Sequence, residues 1–305
     1  MGKKILMGHL VLFIANVFFG LNVTMSRTLI PLVVSPYALT FFRIAGAAIL
    51  FWAASFFVKQ QKVPMKDVVK LFFASIFALV INQIPFIVGL SMTSPIDASI
   101  VVAMLPIVTM VLATLILKEK ITLMKIIGIL VGGAGALMLV LNDAIVPTGQ
   151  GNFIGNLLVF VGVISFSLYL TMFKELISKY SPFTIMKWMF LFGAVLSYPF
   201  CHSALVSTDF FNLGTSAYLK IAYIVVIATF LSYSLIAVAQ KVLSPTTFSM
   251  YNYVQPVVAS LVAVFIGIDS FGIQKFICAL LVFSGVYIVT QSNAKAKKIS
   301  KSTGK

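Results

Sequence analysis

The chain has 305 residues, of which 61% are hydrophobic and 10% charged, against about 45–50% and about 25% in soluble globular proteins. A mean hydropathy of +1.10, spread along the whole length, excludes a soluble domain with one anchor, a disordered chain, a collagen-like repeat and a disulfide scaffold. The net charge of +15 would point to nucleic acid in a soluble domain, but here its sign has to be read by position along the chain.

Lys3 and Lys4 stand ahead of an apolar run that starts at Ile5 and continues to about Met25. No A-x-A cleavage pattern follows it, so the run reads as a first helix and not as a signal peptide. Further apolar segments, separated by Pro, Gly, Ser or charge, fall at 37–58, 69–90, 97–117, 121–141, 154–174, 183–201, 217–240, 246–266 and 273–291. At about 20 residues per crossing these are ten transmembrane helices. Continuous runs of this length satisfy their backbone in hydrocarbon only as helices, so the fold class is an all-α membrane protein. Cys201 and Cys278 lie inside apolar runs and imply neither redox chemistry nor a metal.

Alternating sides from a cytoplasmic N-terminus, 18 of the 22 lysines and arginines fall on the cytoplasmic side, Arg27, Lys220 and Lys275 on the other, and Arg43 inside the second helix. This asymmetry puts both termini in the cytoplasm and makes most of the charge a topology signal, with no nucleic-acid partner implied. The basic tail 295–305 is either solvated or in touch with anionic headgroups.

The two halves of the chain repeat. Ser94-Pro95, Pro106, Lys125 and Gly135 recur at one constant offset as Ser244-Pro245, Pro256, Lys275 and Gly285. Nearer the start of each half, Gly8, Phe13, Leu21, Thr24 and Met25 match Gly155, Phe160, Leu168, Thr171 and Met172, and Ser35-Pro36 matches Ser181-Pro182. Five helices per half is an odd number, so the second copy enters the membrane from the opposite side, and the repeat is inverted. The expected organisation is a first five-helix repeat at 1–143, a second at 152–294 and the tail. Inverted repeats are an architecture of secondary transporters, with the solute held near the midplane between the halves.

Four stretches carry a family resemblance. Phe19-Gly20-Leu21-Asn22 ends the first helix, and Ser35-Pro36 with Arg43 opens the second. Pro106, Leu117-Lys118-Glu119-Lys120, Gly128 and Gly135 span the fourth and fifth, and Pro245, Tyr253, Pro256 and Gly285 recur in the second half. Together they resemble the EamA branch of the drug/metabolite transporter superfamily, although Asp269 stands where that family usually has Glu. The resemblance implies a multi-pass carrier of the inner (cell) membrane, a permease or exporter of amino acids, small metabolites or hydrophobic amphiphiles.

With a rise of about 1.5 Å per residue, the midplane lies about ten residues from each helix end. This places Asn16, Asn82, Gln83, Pro106, Tyr233 and Pro256 near the bilayer centre. Amides at that depth line a wet cavity or bond neighbouring helices, and both readings stay open for Asn82 and Gln83. Pro106 and Pro256 each remove a backbone donor and are expected as flex points. Tyr251, Asn252, Tyr253 and Gln255 have only apolar counterparts at Val101–Leu105, and this asymmetry nominates Tyr253 and Gln255 as solute or gate contacts, with Tyr169 and Trp188 as further wall. Arg43 either snorkels to the outer headgroups or pairs with Asp97 in an outer gate. Glu119 is expected at the start of the fifth helix or bracing the Lys118–Lys120 loop, and Lys187 at the cytoplasmic end of the seventh. Gly128, Gly132 and Ala136 form a small-residue stripe that serves an intramolecular contact or a homodimer.

No G-x-S-x-G, P-loop, dinucleotide fingerprint or metal cluster appears, and the two histidines, His9 and His202, sit near helix ends, so neither an enzyme nor a cofactor is expected. The expected function is a transporter of small organic metabolites such as amino acids, moving them by alternating access through a cavity lined by the first, third, fourth, sixth, eighth and ninth helices. The rival is a membrane-embedded scaffold or sensor without flux.

Overall fold

A computed structural model describes residues 2–30, 33–59, 61–93, 95–142, 152–210, 212–265 and 273–302. The chain is helical, and no strand occurs among the described residues. The helices are α1 (Lys3–Arg27), α2 (Pro36–Ser55), α3 (Met65–Met92), α4 (Pro95–Ala103), α5 (Leu105–Leu117), α6 (Leu123–Asn142) and α7 (Phe153–Met172). There follow the short α8 (Lys174–Lys179), α9 (Pro182–Ser207), α10 (Thr215–Val242), α11 (Pro245–Met250), α12 (Val254–Phe265) and α13 (Ile273–Ser302). Eight stretches among the described residues are long and apolar enough to cross a membrane. Ten segments were expected. The fifth is described as an apolar helix over Leu123–Met138, and the ninth is divided by a 3₁₀ turn at Tyr251–Tyr253 into pieces too short to count alone.

The repeated Ser-Pro pairs begin helices for a local reason. Proline at the first helical position costs no hydrogen bond, and in the second half the preceding serine also accepts one from an otherwise orphaned N–H. Ser181 Oγ accepts from Thr184 N at 3.2 Å, and Ser244 Oγ from Thr247 N at 3.3 Å. Asn152 caps α7 through Oδ1, which accepts from Ile154 N and Gly155 N. Two helices widen into π-turns, α3 at Ile76–Val80 and α10 at Val226–Leu231, which are matching positions of the repeat. In the second, Thr229 Oγ1 and Ser232 Oγ take up the carbonyls five residues back, at 2.7 and 2.9 Å. Such turns shift the helix face presented beyond them.

The halves pack reciprocally. α1 lies against α10 and α12, as α7 lies against α3, α4 and α5, and the matching pairs α2–α9 and α6–α13 pack on each other. A Cβ at Gly285 would meet Gly128 O and Gly132 N at 2.5 Å, and one at Gly135 would meet Cys278 O at 2.7 Å and Val282 N at 3.0 Å. Each contact is the counterpart of the other under exchange of halves, as a twofold relation requires. The small-residue stripe is thus filled within the chain, where it lets two backbones touch and gain dispersion contacts that lipid cannot match.

A large apolar cluster around Leu12, Phe51, Leu79, Ile185 and Phe190 holds most helices together, and a smaller one joins Leu29, Val34, Leu39 and Ile224 at the other end. Outward-facing side chains such as Ile49, Leu115 and Phe265 are apolar and exposed, which suits a lipid surface.

Two ion pairs fasten helix ends. Glu119 Oε2 accepts from Lys125 Nζ at 3.0 Å and from Thr246 Oγ1 at 3.1 Å, tying the α5–α6 loop to α11. Asp67 accepts from Lys179 and from the Tyr180 hydroxyl, tying α3 to the end of α8. The Asp67 hydrogen bond raises the affinity of Lys179 for its proton and holds Tyr180 neutral above its ordinary range. Groups whose folded affinity for a proton is raised contribute stability below their unfolded pKa, about 10.4 for lysine and about 10 for tyrosine, and lose it as pH rises further. The thermal midpoint in detergent should therefore fall above about pH 10 more steeply for the wild type than for a Lys179→Met/Tyr180→Phe double variant. Identical alkaline profiles would contradict the latch.

Candidate functional site

Where two matching residues of a twofold pair touch each other, they straddle the axis that relates the halves. Gln83 on α3 and Tyr233 on α10 are such a pair, with the Gln83 amide facing the Tyr233 hydroxyl. Ala103 and Tyr253 are another, with the Tyr253 hydroxyl donating to Ala103 O at 2.7 Å. The axis therefore passes between α3 and α10 and between the helix breaks at Ala103 and Tyr253, and the polar groups along it define the candidate site.

At the Gln83–Tyr233 end, Arg43 reaches across from α2, and its Nε donates to Thr229 Oγ1 at 3.2 Å. The guanidinium also lies near the Tyr233 hydroxyl. The side chain points into the bundle and not toward a headgroup layer. It is aimed by the π-turn of α10, which frees the Thr229 position to face α2. Pairing of Arg43 with Asp97 falls outside the described residues, because the Asp97 side chain is among those not described. Aromatic rings close the wall: Phe19 meets Tyr233 edge-on at 5.9 Å, Phe190 meets it edge-on at 5.0 Å, and Phe51 bridges Phe190 and Phe230 at 5.2 and 4.7 Å.

One turn along α1 from Phe19, an amide group joins α1 to the start of α12. Gln255 Nε2 donates to Asn16 Oδ1 at 2.8 Å and to Asn252 Oδ1 at 2.9 Å, and Asn16 Nδ2 returns to Leu12 O at 2.9 Å. Asn252 Nδ2 is buried without a hydrogen-bond partner among the described residues. A buried amide donor left unpaired costs about 1–3 kcal/mol, so this group is poised for an acceptor that the described residues do not supply.

The remaining expected wall residues hold helices together. Asn82 Nδ2 donates to Gly162 O at 3.0 Å, joining α3 to α7. The Tyr169 hydroxyl donates to Gln240 Oε1 at 3.0 Å, while Gln240 Nε2 is buried without a partner among the described residues. Trp188 meets Trp52 edge-on at 5.4 Å beside a shallow apolar groove of Val63, Met65, Val68, Val69, Phe72 and Phe192, away from the axis. Lys187 is buried, with Nζ 4.9 Å over the Trp52 ring. Pro106 follows the interruption at Met104, and Pro256 follows the 3₁₀ turn.

Tyr253 bridges these features. Its ring covers Gly132 and Gly133 of α6, and its hydroxyl satisfies a carbonyl at the helix break ahead of Pro106. Tyr253→Phe should lower stability by about 1 kcal/mol, the scale of one interhelical hydrogen bond, read as a small drop in the thermal midpoint. No drop would show that the break is satisfied otherwise. Thr229, Gln240 and Asn252 belong to these networks and were not among the expected site residues. Hydroxyls are common in apolar helices, and only the matching π-turns single out Thr229. Among the described residues no group of three or more His, Cys, Asp or Glu is placed to hold a metal.

A helical chain with an apolar outer face, two matching halves and polar side chains gathered on the axis between them is a multi-pass membrane protein of the transporter class. It belongs to the EamA-like transporter family, whose pattern matches it twice, over residues 6–141 and 153–291. It is similar to an uncharacterized transporter of Archaeoglobus fulgidus, 28% identical over 70% of this chain and 74% of that one. It also resembles the uncharacterized transporter YyaM of Bacillus subtilis, 23% identical over 69% and 71%, and YetK of the same organism, 26% identical over 73% and 68%. A solved crystal structure superposes with a TM-score of 0.79 over 95% of this chain and 98% of its own, at 16% identity, and shares the fold.

Proposed function

We propose that this transporter carries small organic metabolites, amino acids among them, by alternating access. In this reading ten helices cross the inner (cell) membrane as two inverted five-helix repeats with both termini in the cytoplasm. The solute sits against Arg43, Gln83, Tyr233, Asn16 and Gln255, with Pro106 and Pro256 as flex points. The observation that carries the reading is the collection of these polar groups on the axis between the halves, inside a bundle whose outer face is apolar. Such a site is where exchange of two matching conformations would expose a bound solute to alternate sides.

Unequal packing of matching ends supports the same reading. All six residues of α11 are buried, whereas its counterpart α4 leaves Ile100 exposed, and Met104 beyond it is exposed too. Two copies of one sequence pattern packed differently are what a carrier resting in one of its two states presents.

The test is transport itself. Purified protein in liposomes should equilibrate at least one labelled member of an amino-acid and metabolite panel faster than protein-free liposomes do. Equal rates throughout would favour a scaffold or sensor that keeps the fold without flux.

A further inference from the structure

Resting on that reading and naming its substrate class, we propose that the transported solute carries a carboxylate, which Arg43 binds at the axis. Of the five N–H donors of a guanidinium, one bonds Thr229 Oγ1 at 3.2 Å. None of the carboxylates whose side chains are described reaches Arg43: Asp67 is held by Lys179, Glu119 by Lys125, Glu175 is exposed on α8, and Asp209 bonds Asn212 in the loop after α9. A permanent positive charge at this depth is costly without an anion beside it. The planar fork of a guanidinium matches a carboxylate with two parallel hydrogen bonds.

The surroundings fit such a solute. Thr229 fixes the guanidinium from one edge, and the Gln83–Tyr233 pair adds an amide and a hydroxyl beside it. The rings of Phe19 and Phe190, packed on Tyr233, present an apolar wall for a short side chain. Arg43 stands where the other half has Met189, by the spacing that aligns Ser35-Pro36 with Ser181-Pro182. The charge is therefore not part of the scaffold that the two repeats share. One guanidinium balances one carboxylate. A phosphate monoester, with about −1.5 to −2 charge, would require a second cation, and Lys187, the buried lysine of α9, is spent over Trp52.

The experiment is uptake into liposomes of labelled lactate, alanine and phenylalanine, each against its own amide, by wild type, Arg43→Gln and Arg43→Lys. Wild type should take up at least one acid about tenfold faster than its amide. Arg43→Gln should abolish that preference while eluting as the wild type does, and Arg43→Lys should keep part of it through the retained charge. Amides carried as fast as acids, or acid uptake unchanged in Arg43→Gln, would overturn the carboxylate assignment and leave transport standing. If Arg43→Gln does not fold, the wild-type acid-to-amide ratio decides alone. No flux for any acid or amide would remove the transport reading and this assignment with it.

Discussion

Gly285→Val should be the most destabilising single substitution tested in the membrane core. A side chain at this position meets backbone on three sides, with Gly128 O and Gly132 N at 2.5 Å and Gly132 Cα at 2.6 Å from the first carbon alone. Backbone cannot rotate aside as a flexible side chain can, so α13 must move off α6. Overpacking of this kind costs about 3 kcal/mol, and here it also breaks the reciprocal contact of Gly135 with Cys278 O. The measurement is the fraction of monodisperse protein left after heating in detergent. The control is Gly214→Ala, where nothing lies within 4 Å of the added carbon and the change should stay within about 0.5 kcal/mol. A Gly285→Val protein that melts with the wild type would show that α6 and α13 do not meet backbone to backbone.

Gln255→Ala should separate transport from stability. The substitution removes the donor that Asn16 and Asn252 share. Interhelical hydrogen bonds in membranes are worth about 0.6 to 2 kcal/mol, so folding should suffer by about 1 kcal/mol. Flux should fall by about tenfold or more, equivalent to about 1.4 kcal/mol of lost interaction with the solute, because the group that orients two further amides at the axis is gone. Asn16→Ala should reproduce most of the loss, and the double variant should be little worse than either, as expected of one coupled network. Loss of flux only in proportion to loss of folded protein would mean that the amide group is structural.

The all-helical membrane fold was legible because hydropathy is a one-dimensional signal that the chain repeats along its length. The reciprocal packing was foreshadowed by the ladder of Ser-Pro, Pro, Lys and Gly matches, whose members turn out to be helix starts, helix breaks and backbone crossings. What periodicity cannot carry is the identity of partners. Two uses of the glycine stripe were equally compatible with its spacing, and only the contact of Gly128 with Gly285 shows that it is filled within the chain. Asn82 and Gln83 are neighbours in sequence, yet a helix turns them about 100° apart. One bonds Gly162 O and the other faces Tyr233 across the axis. Glu119 was expected at a helix start or bracing a loop, and its actual bonds to Lys125 and Thr246 tie that loop to the second half. Trp188, nominated as a further wall residue beside Tyr169, lines the apolar groove next to Trp52.

The central claim is that the bundle works as a carrier, binding a solute at the axis and returning by exchange of its two halves. Counterflow tests it most directly: liposomes preloaded with an unlabelled solute that the protein transports, diluted into the same solute carrying label. A carrier predicts that preloading accelerates entry of label severalfold and that the acceleration saturates with internal concentration. Entry indifferent to preloading and rising linearly with concentration would mean a pore, and would contradict the account.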